Sequence, residues 1–352
     1  MRKNWAAAFQ IAAVYVGTVV GAGFATGREI VEFFSRFGFF GFISILMSGY
    51  LLIMLGSKLM RIAAQINAVS YQEFNVHLFG KIAGKGINII MLIMLLGVSA
   101  VMLAGAGAVF EEQLGLSKSL GVFLTIFLSF IVMLVGTKGI FAVNSFVVPI
   151  MICFSLMLMT ISIRQADFLD KLLFIPYAVD GWKSVLAPFS YSALNLALAQ
   201  AVLVPIANEI KDDWTIKWGG ILGGAALTVI LLSSHFTLIM LPNVEVYEIP
   251  MAIIMKQIAP FFYWIFVLVI YGEIFTSVIG NVFGLDRQLK QYITVPTFIS
   301  ISVIFLISYC ISLIDYSMLL SNLYPIFGYI SLTFFVLLWM KPFKADINNS
   351  IK

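Results

Sequence analysis

Gly17-Thr18-Val19-Val20-Gly21-Ala22-Gly23-Phe24-Ala25-Thr26-Gly27 lies in the middle of the first apolar stretch of the chain. Each of its four glycines costs a helix roughly 1 kcal/mol relative to alanine, so the run predicts a break. Backbone freed at membrane depth finds no water. It survives where protein covers it or where it lines a cavity whose ion or solute supplies partners. The run therefore points to a binding site. The 4-residue spacings Gly17 to Gly21 and Gly23 to Gly27 also fit tight helix packing without any break.

The setting of that run is a membrane. Of the 352 residues, 61% are hydrophobic and 11% charged, and the mean hydropathy is +1.04, against roughly a quarter charged residues in soluble domains. Spans of about 20 apolar residues exclude the alternating ten-residue strands of a membrane barrel. The reading is all-α: about ten transmembrane helices near 5–36, 38–60, 87–110, 120–135, 140–163, 182–210, 218–240, 261–283, 293–312 and 318–340. The first is long enough for two half-helices. Short interfacial helices are expected around 71–78 and 249–258. The chain reads as one membrane unit, residues 1–352, with no cleavable leader and no linker.

With the amino terminus placed inside, fourteen of the twenty-one Lys and Arg residues fall on the cytoplasmic side. Ten crossings, both termini cytoplasmic and a cell-membrane location follow from that bias. The net charge of +4 then reflects topology and gives no argument for nucleic acid. Cys153 and Cys310 sit in apolar segments, as neither a disulfide framework nor a metal site. Enzyme chemistry finds no support, since His77 and His235 lie in different segments and no nucleophile elbow, H-E-x-x-H or phosphate loop occurs. No cofactor is expected beyond a coupling ion.

The sixth segment repeats the oddity of the first. It carries Pro188-Phe189-Ser190-Tyr191-Ser192-Ala193-Leu194-Asn195, then Gln200 and Pro205, through what should be hydrocarbon. Interrupted segments in corresponding positions of two five-helix halves are the pointer to an inverted repeat with its site at the midplane. The halves would be about 5–163 and 182–340, with the sixth segment unwound near Ala193 to Leu196.

Val14-Tyr15-Val16-Gly17-Thr18-Val19-Val20-Gly21-Ala22-Gly23 resembles the first-helix glycine motif of the LeuT-fold sodium-coupled transporters. The whole chain resembles the YkvI-like group of bacterial membrane proteins, distant relatives of the amino acid, polyamine and organocation superfamily. This resemblance implies a five-plus-five repeat with substrate between broken helices one and six. In the eighth segment, Thr276 and Ser277 of Gly272-Glu273-Ile274-Phe275-Thr276-Ser277-Val278-Ile279-Gly280 are similar to the hydroxyl pair that holds a cation in the sodium-coupled members. Carried over, the helix-one carbonyls of that Na⁺ site belong to Gly17 and Val20, with a further carbonyl at Glu273. Phe24 stands where a second sodium position usually finds an amide, and Asn195 stands about where helix six offers a hydroxyl.

Glu273 is the acid placed deepest in a spanning segment, which makes it a coupling candidate. It serves either as a proton carrier or as a charge that tightens binding of a cation beside Thr276; a plain interhelical hydrogen bond is the structural alternative. Arg28 and Glu29 follow the glycine run, where they gate a vestibule as an ion pair, contact a charged end of the substrate, or simply reach water. Gly21, Gly23, Phe24, Tyr191, Asn195 and Gln200 are the expected substrate contacts, Tyr191 as a lid. The functional expectation is Na⁺-coupled, in preference to H⁺-coupled, symport of a small organic solute of amino acid type. The alternative is a non-transporting ligand-binding sensor on the same fold.

Overall fold

The computed structural model describes residues 4–135, 138–176, 181–290 and 292–341, without the side chains of 134–148 and 287. Asn144, which as an amide inside the fifth expected span reads as a helix-to-helix contact or a group facing the cation cavity, lies outside the described side chains. The first apolar stretch is divided into α1 (Trp5–Val19), α2 (Ala22–Ala25) and α3 (Arg28–Phe33). There follow α4 (Phe39–Gln65), α5 (Tyr71–Phe79), α6 (Lys81–Ala108, ending in a π turn over Val109–Gln113), α7 (Lys118–Val135), α8 (Lys138–Ile163) and α9 (Phe168–Leu172). The second half holds α10 (Gly181–Ile210), α11 (Asp213–Leu238), α12 (Pro250–Ile258), α13 (Tyr263–Leu289), α14 (Thr297–Ser312) and α15 (Tyr316–Met340).

Among the described residues six helices, at 39–65, 81–113, 181–210, 213–238, 260–286 and 316–340, are long and apolar enough to cross a membrane, and four shorter apolar helices accompany them. The two short helices expected between spans are α5 and α12. Side chains such as Phe9, Tyr50, Phe127, Leu268 and Leu306 point outward and stay exposed, the arrangement of a protein whose solvent is lipid. At one rim Trp5 packs edge-on against Trp214, ring centroids 5.0 Å apart, an aromatic girdle of the kind found at membrane interfaces.

Contacts between helix ends define two faces. On the near face, where α1 begins, Arg61 at the end of α4 grips Asp213 at the start of α11 at 2.7 Å, and Lys58 reaches Trp339 at the end of α15. On the far face, Lys118 at the start of α7 bonds Asp315 before α15 at 3.2 Å, and Phe39 N–H donates to Phe174 beyond α9.

The core forms around α1, which packs on α11 and α10, while α4 packs on the same two helices. Two glycine pairs let α11 slide between its neighbours. A Cβ on Gly219 or Gly223 would come within 2.6 Å of Ile11 or 2.7 Å of Tyr15, and one on Gly220 or Gly224 within 2.3 Å of Ser57 or 2.7 Å of Ile53. One flank therefore serves α1 and the other α4. Tyr15 completes the joint by donating its buried hydroxyl to Leu52 O at 2.9 Å.

Candidate functional site

The glycine run breaks the helix where Val20 (ψ 106°) and Gly21 (φ −123°, ψ −168°) become extended. Val20 N–H still bonds Val16 O, but no backbone donor among the described residues reaches the carbonyls of Gly17 to Val20. The next turn starts afresh, with Phe24 N–H and Ala25 N–H both on Gly21 O. A second joint follows at Gly27, whose φ of 84° is left-handed and strained for any residue with a Cβ. Met251 Cγ would lie 2.6 Å from such a Cβ.

The first joint faces α13. A Cβ on Gly21 would sit 3.5 Å from Ser277 Oγ and 4.0 Å from a methyl of Met102 on α6. Gly17, Gly21 and Ser277 are half-buried, while Val20, Glu273 and Thr276 are buried. Thr276 Oγ1 donates to Glu273 O at 3.1 Å, so two of the expected cation ligands already bond to each other. Glu273 Oε1 is buried and has no hydrogen-bond partner among the described residues. Towards the near face, a Cβ on Gly280 or Gly284 would meet no described atom within 4 Å. Carbonyls, hydroxyls and one carboxylate suit a hard monovalent cation. Among the described residues no cluster of three or more His, Cys, Asp or Glu side chains exists that could hold a metal ion.

The far side is sealed. Thr26 and Tyr316 share a hydrogen bond of 2.8 Å, and Met251 N–H of α12 donates to Thr26 O at 3.0 Å. Arg28 Nη1 donates to Glu245 O at 2.5 Å and Tyr247 O at 3.2 Å in the segment before α12, and its Nη2 to Ser321 Oγ at 3.4 Å. Glu112 accepts from Ile249 N–H, and Glu248 from Ser317, so the same segment is tied to α6 and α15. Arg28 and Glu29 do not pair with each other. Adjacent helical residues point about 100° apart, and Glu29 turns inward to accept from Asn195 Nδ2 at 3.4 Å.

The expected unwinding of the sixth segment is corrected. α10 is one continuous helix of 30 residues, through Ala193 to Leu196 and through Pro188 and Pro205. Several of its polar groups are bonded within the helix or to α4. Pro188 leaves the carbonyl of Ser184 without its helical donor, and Ser44 on α4 supplies one at 3.2 Å. Ser190 donates back to Leu186 O at 3.1 Å, and Asn195 to Tyr191 O at 3.1 Å, the local bonding that lets such residues sit within a helix.

Tyr191, Asn195, Glu29 and Gly23 come together: a Cβ on Gly23 would stand 2.7 Å from Glu29 Oε2. Phe24 is fully buried on α2. Gln200 does not join them. Nine residues beyond Tyr191, roughly 13 Å along a helix, its amide touches Met91 of α6 at 3.6 Å. Thr26, Tyr316 and Glu112 escaped the sequence reading. Tyr316 falls just before the expected start of the last span, and nothing local marks the other two.

No protein-family model matches the chain. Among solved structures, a mutant of the manganese transporter of Eremococcus coleocola superposes with a TM-score of 0.65 at 15% identity, over 94% of this chain and 78% of that one. Mhp1, a nucleobase-cation-symport-1 family transporter in a closed conformation with bromovinylhydantoin bound, gives 0.58 at 11% identity over 90% and 74%. The chain thus shares their fold. Protein YyaD of Bacillus subtilis is 23% identical over 339 residues, 96% of this chain and 98% of its own length. Being 50% identical to membrane protein YkvI of the same organism over the full length of both, the chain belongs to the YkvI family of membrane proteins.

Proposed function

We propose that the protein is a cation-coupled secondary transporter of a small organic solute of amino acid type. The observation that carries this reading is the broken first helix with its joint at Gly21 set against Ser277. Unpaired carbonyls and a hydroxyl meet there at the depth where the fold's transporters work. Na⁺ in preference to H⁺ occupies that joint, with Gly17, Val20, Glu273, Thr276 and Ser277 as its ligands and Glu273 as the charge that tightens it. The solute sits one layer further out, against Gly21, Gly23, Phe24, Tyr191 and Asn195. The whole chain acts as one transport unit of ten spans, its halves 5–163 and 182–340 related as an inverted repeat, in the cell membrane with both termini cytoplasmic. With the near face cytoplasmic, the sealed far side corresponds to a state closed to the outside. Arg28 then serves as an outer gate.

Purified protein in liposomes should accumulate labelled amino acid under an inward Na⁺ gradient and release it when the gradient is dissipated. Uptake indifferent to both Na⁺ and proton gradients would refute the coupling. The second reading, a sensor on the same fold, is favoured by saturable binding with no flux under any gradient.

A further inference from the structure

Glu29 is a carboxylate that the fold buries without giving it a cation. The residue is 4% exposed. Its Oε1 accepts from the Asn195 amide at a long 3.4 Å, and its Oε2 lies over Gly23, where any side chain would cover it. A positive charge stands one residue away and is used elsewhere: Arg28 spends its guanidinium on the carbonyls of Glu245 and Tyr247. Glu32, the next acid along α3, has its own partner in Arg36 at 2.7 Å. Among the described residues no Lys, Arg or His bonds Glu29. An intramembrane carboxylate is costly unless it is paired or protonated, and one kept from an available partner marks a functional site by default.

The surroundings define that ligand. Tyr191 lies with its ring 4.8 Å from Phe34 and 5.4 Å from Phe33, while its hydroxyl is buried without a partner. One carboxylate, a neutral amide, a phenol oxygen and aromatic rings are poor equipment for a divalent metal, which wants more than one charged or imidazole donor. They suit an organic ammonium, which offers N–H donors to oxygens and a diffuse charge to aromatic faces.

We propose that Glu29 is the counter-charge for a protonated amine on the solute, held between α3 and α10 with Asn195 and Tyr191 beside it. This rests on the reading of that layer as the solute site and narrows the solute to amine-bearing molecules.

The test uses the intact purified protein and three matched panels: common α-amino acids, the amines left by removing their carboxyl group, and the acids left by removing their amino group. Members of the first two panels should raise the unfolding temperature and bind saturably, and the deaminated acids should not. E29Q, which keeps the shape, should weaken binding of the amines at least tenfold, about 1.4 kcal/mol; E29D, which keeps the charge, should lose less. If E29Q fails to fold, Y191F decides in its place and should weaken amine binding severalfold. Deaminated acids binding as well as the amines, no amine binding at all, or full affinity in the deciding variant would each overturn the proposal. Glu29-dependent amine binding without flux under any gradient would instead refute transport and leave the amine site standing. Amine flux undiminished in E29Q would do the reverse.

Discussion

Arg28→Ala should open the sealed face. The guanidinium, on a residue 8% exposed, donates at 2.5 Å and 3.2 Å to two carbonyls of the segment before α12 and at 3.4 Å to Ser321 on α15. A hydrogen bond from a charged donor contributes about 1.5–3 kcal/mol. The two carbonyls are served by one nitrogen and lie near the surface, where water replaces the lost donor, so the set is worth about 3 kcal/mol in all. At 1.4 kcal/mol per factor of ten, a face closed 99 times in 100 would then be closed roughly half the time or less.

The assay is thiol labelling. With Cys153 and Cys310 replaced, a cysteine at Leu320, fully buried and packed near Gly23, should react from the far side roughly fifty-fold faster in the Arg28→Ala background, since the rate follows the open population. Arg28→Lys keeps the charge but lacks the second nitrogen that reaches Ser321 and should fall between. Asp167→Ala serves as control, because it removes an exposed i,i+4 pair with Lys171 on the same face, worth about 0.5 kcal/mol. Equal labelling in wild type and Arg28→Ala, or an equal rise in Asp167→Ala, would refute the latch.

Four further outcomes are expected. Ser277→Ala should reduce the apparent Na⁺ affinity, read as Na⁺-dependent thermal stabilisation, by about 1–3 kcal/mol; Thr276→Val should cost less, because that hydroxyl is already bonded to Glu273 O. Glu273→Gln should lower Na⁺ affinity yet keep sodium dependence, whereas loss of pH-driven uptake with exchange preserved would assign the coupling to a proton. Gly27→Ala combines about 1–2 kcal/mol of left-handed strain with overpacking against Met251 and Leu238 and should lower the unfolding temperature by several degrees. Ser44→Ala strips the donor from Ser184 O, a loss of about 1–3 kcal/mol that should be repaired by the second change Pro188→Ala, which restores the helical N–H.

What could be read along the chain was local. The break at Gly21 was legible because the residues that make it are consecutive, and α5 and α12 because polar stretches interrupt apolar ones there. The sixth segment misled because its prolines and hydroxyls look like a break until their partners are known, and the partner of the Ser184 carbonyl is Ser44, 140 positions away. Glu29 finds Asn195 across 166 positions and Arg28 finds Glu245 across 217. Neither distance leaves a trace in composition or spacing. The paired glycines of α11 were visible as letters, but that one pair faces α1 and the other α4 follows from how three helices stack.

The continuity of α10 changes what the site can be. With helices one and six both broken, free backbone from two sides would share the recognition of a solute. Here helix one alone offers free backbone, and its unpaired carbonyls before Gly21 fall in the proposed cation layer, so on the proposed reading α10 meets the solute with side chains: Tyr191 and Asn195 on the face that meets Glu29. Side chains discriminate by charge and shape, whereas bare carbonyls accept many donors. The two joints of helix one, extended at Val20 and Gly21 and left-handed at Gly27, bound a four-residue α2 whose flanks touch α13 on one side and the sealed far face on the other. On the proposed reading, a displacement of α2 would alter the cation layer at Ser277 and the latch beyond Thr26 together, with the continuous α10 beside both.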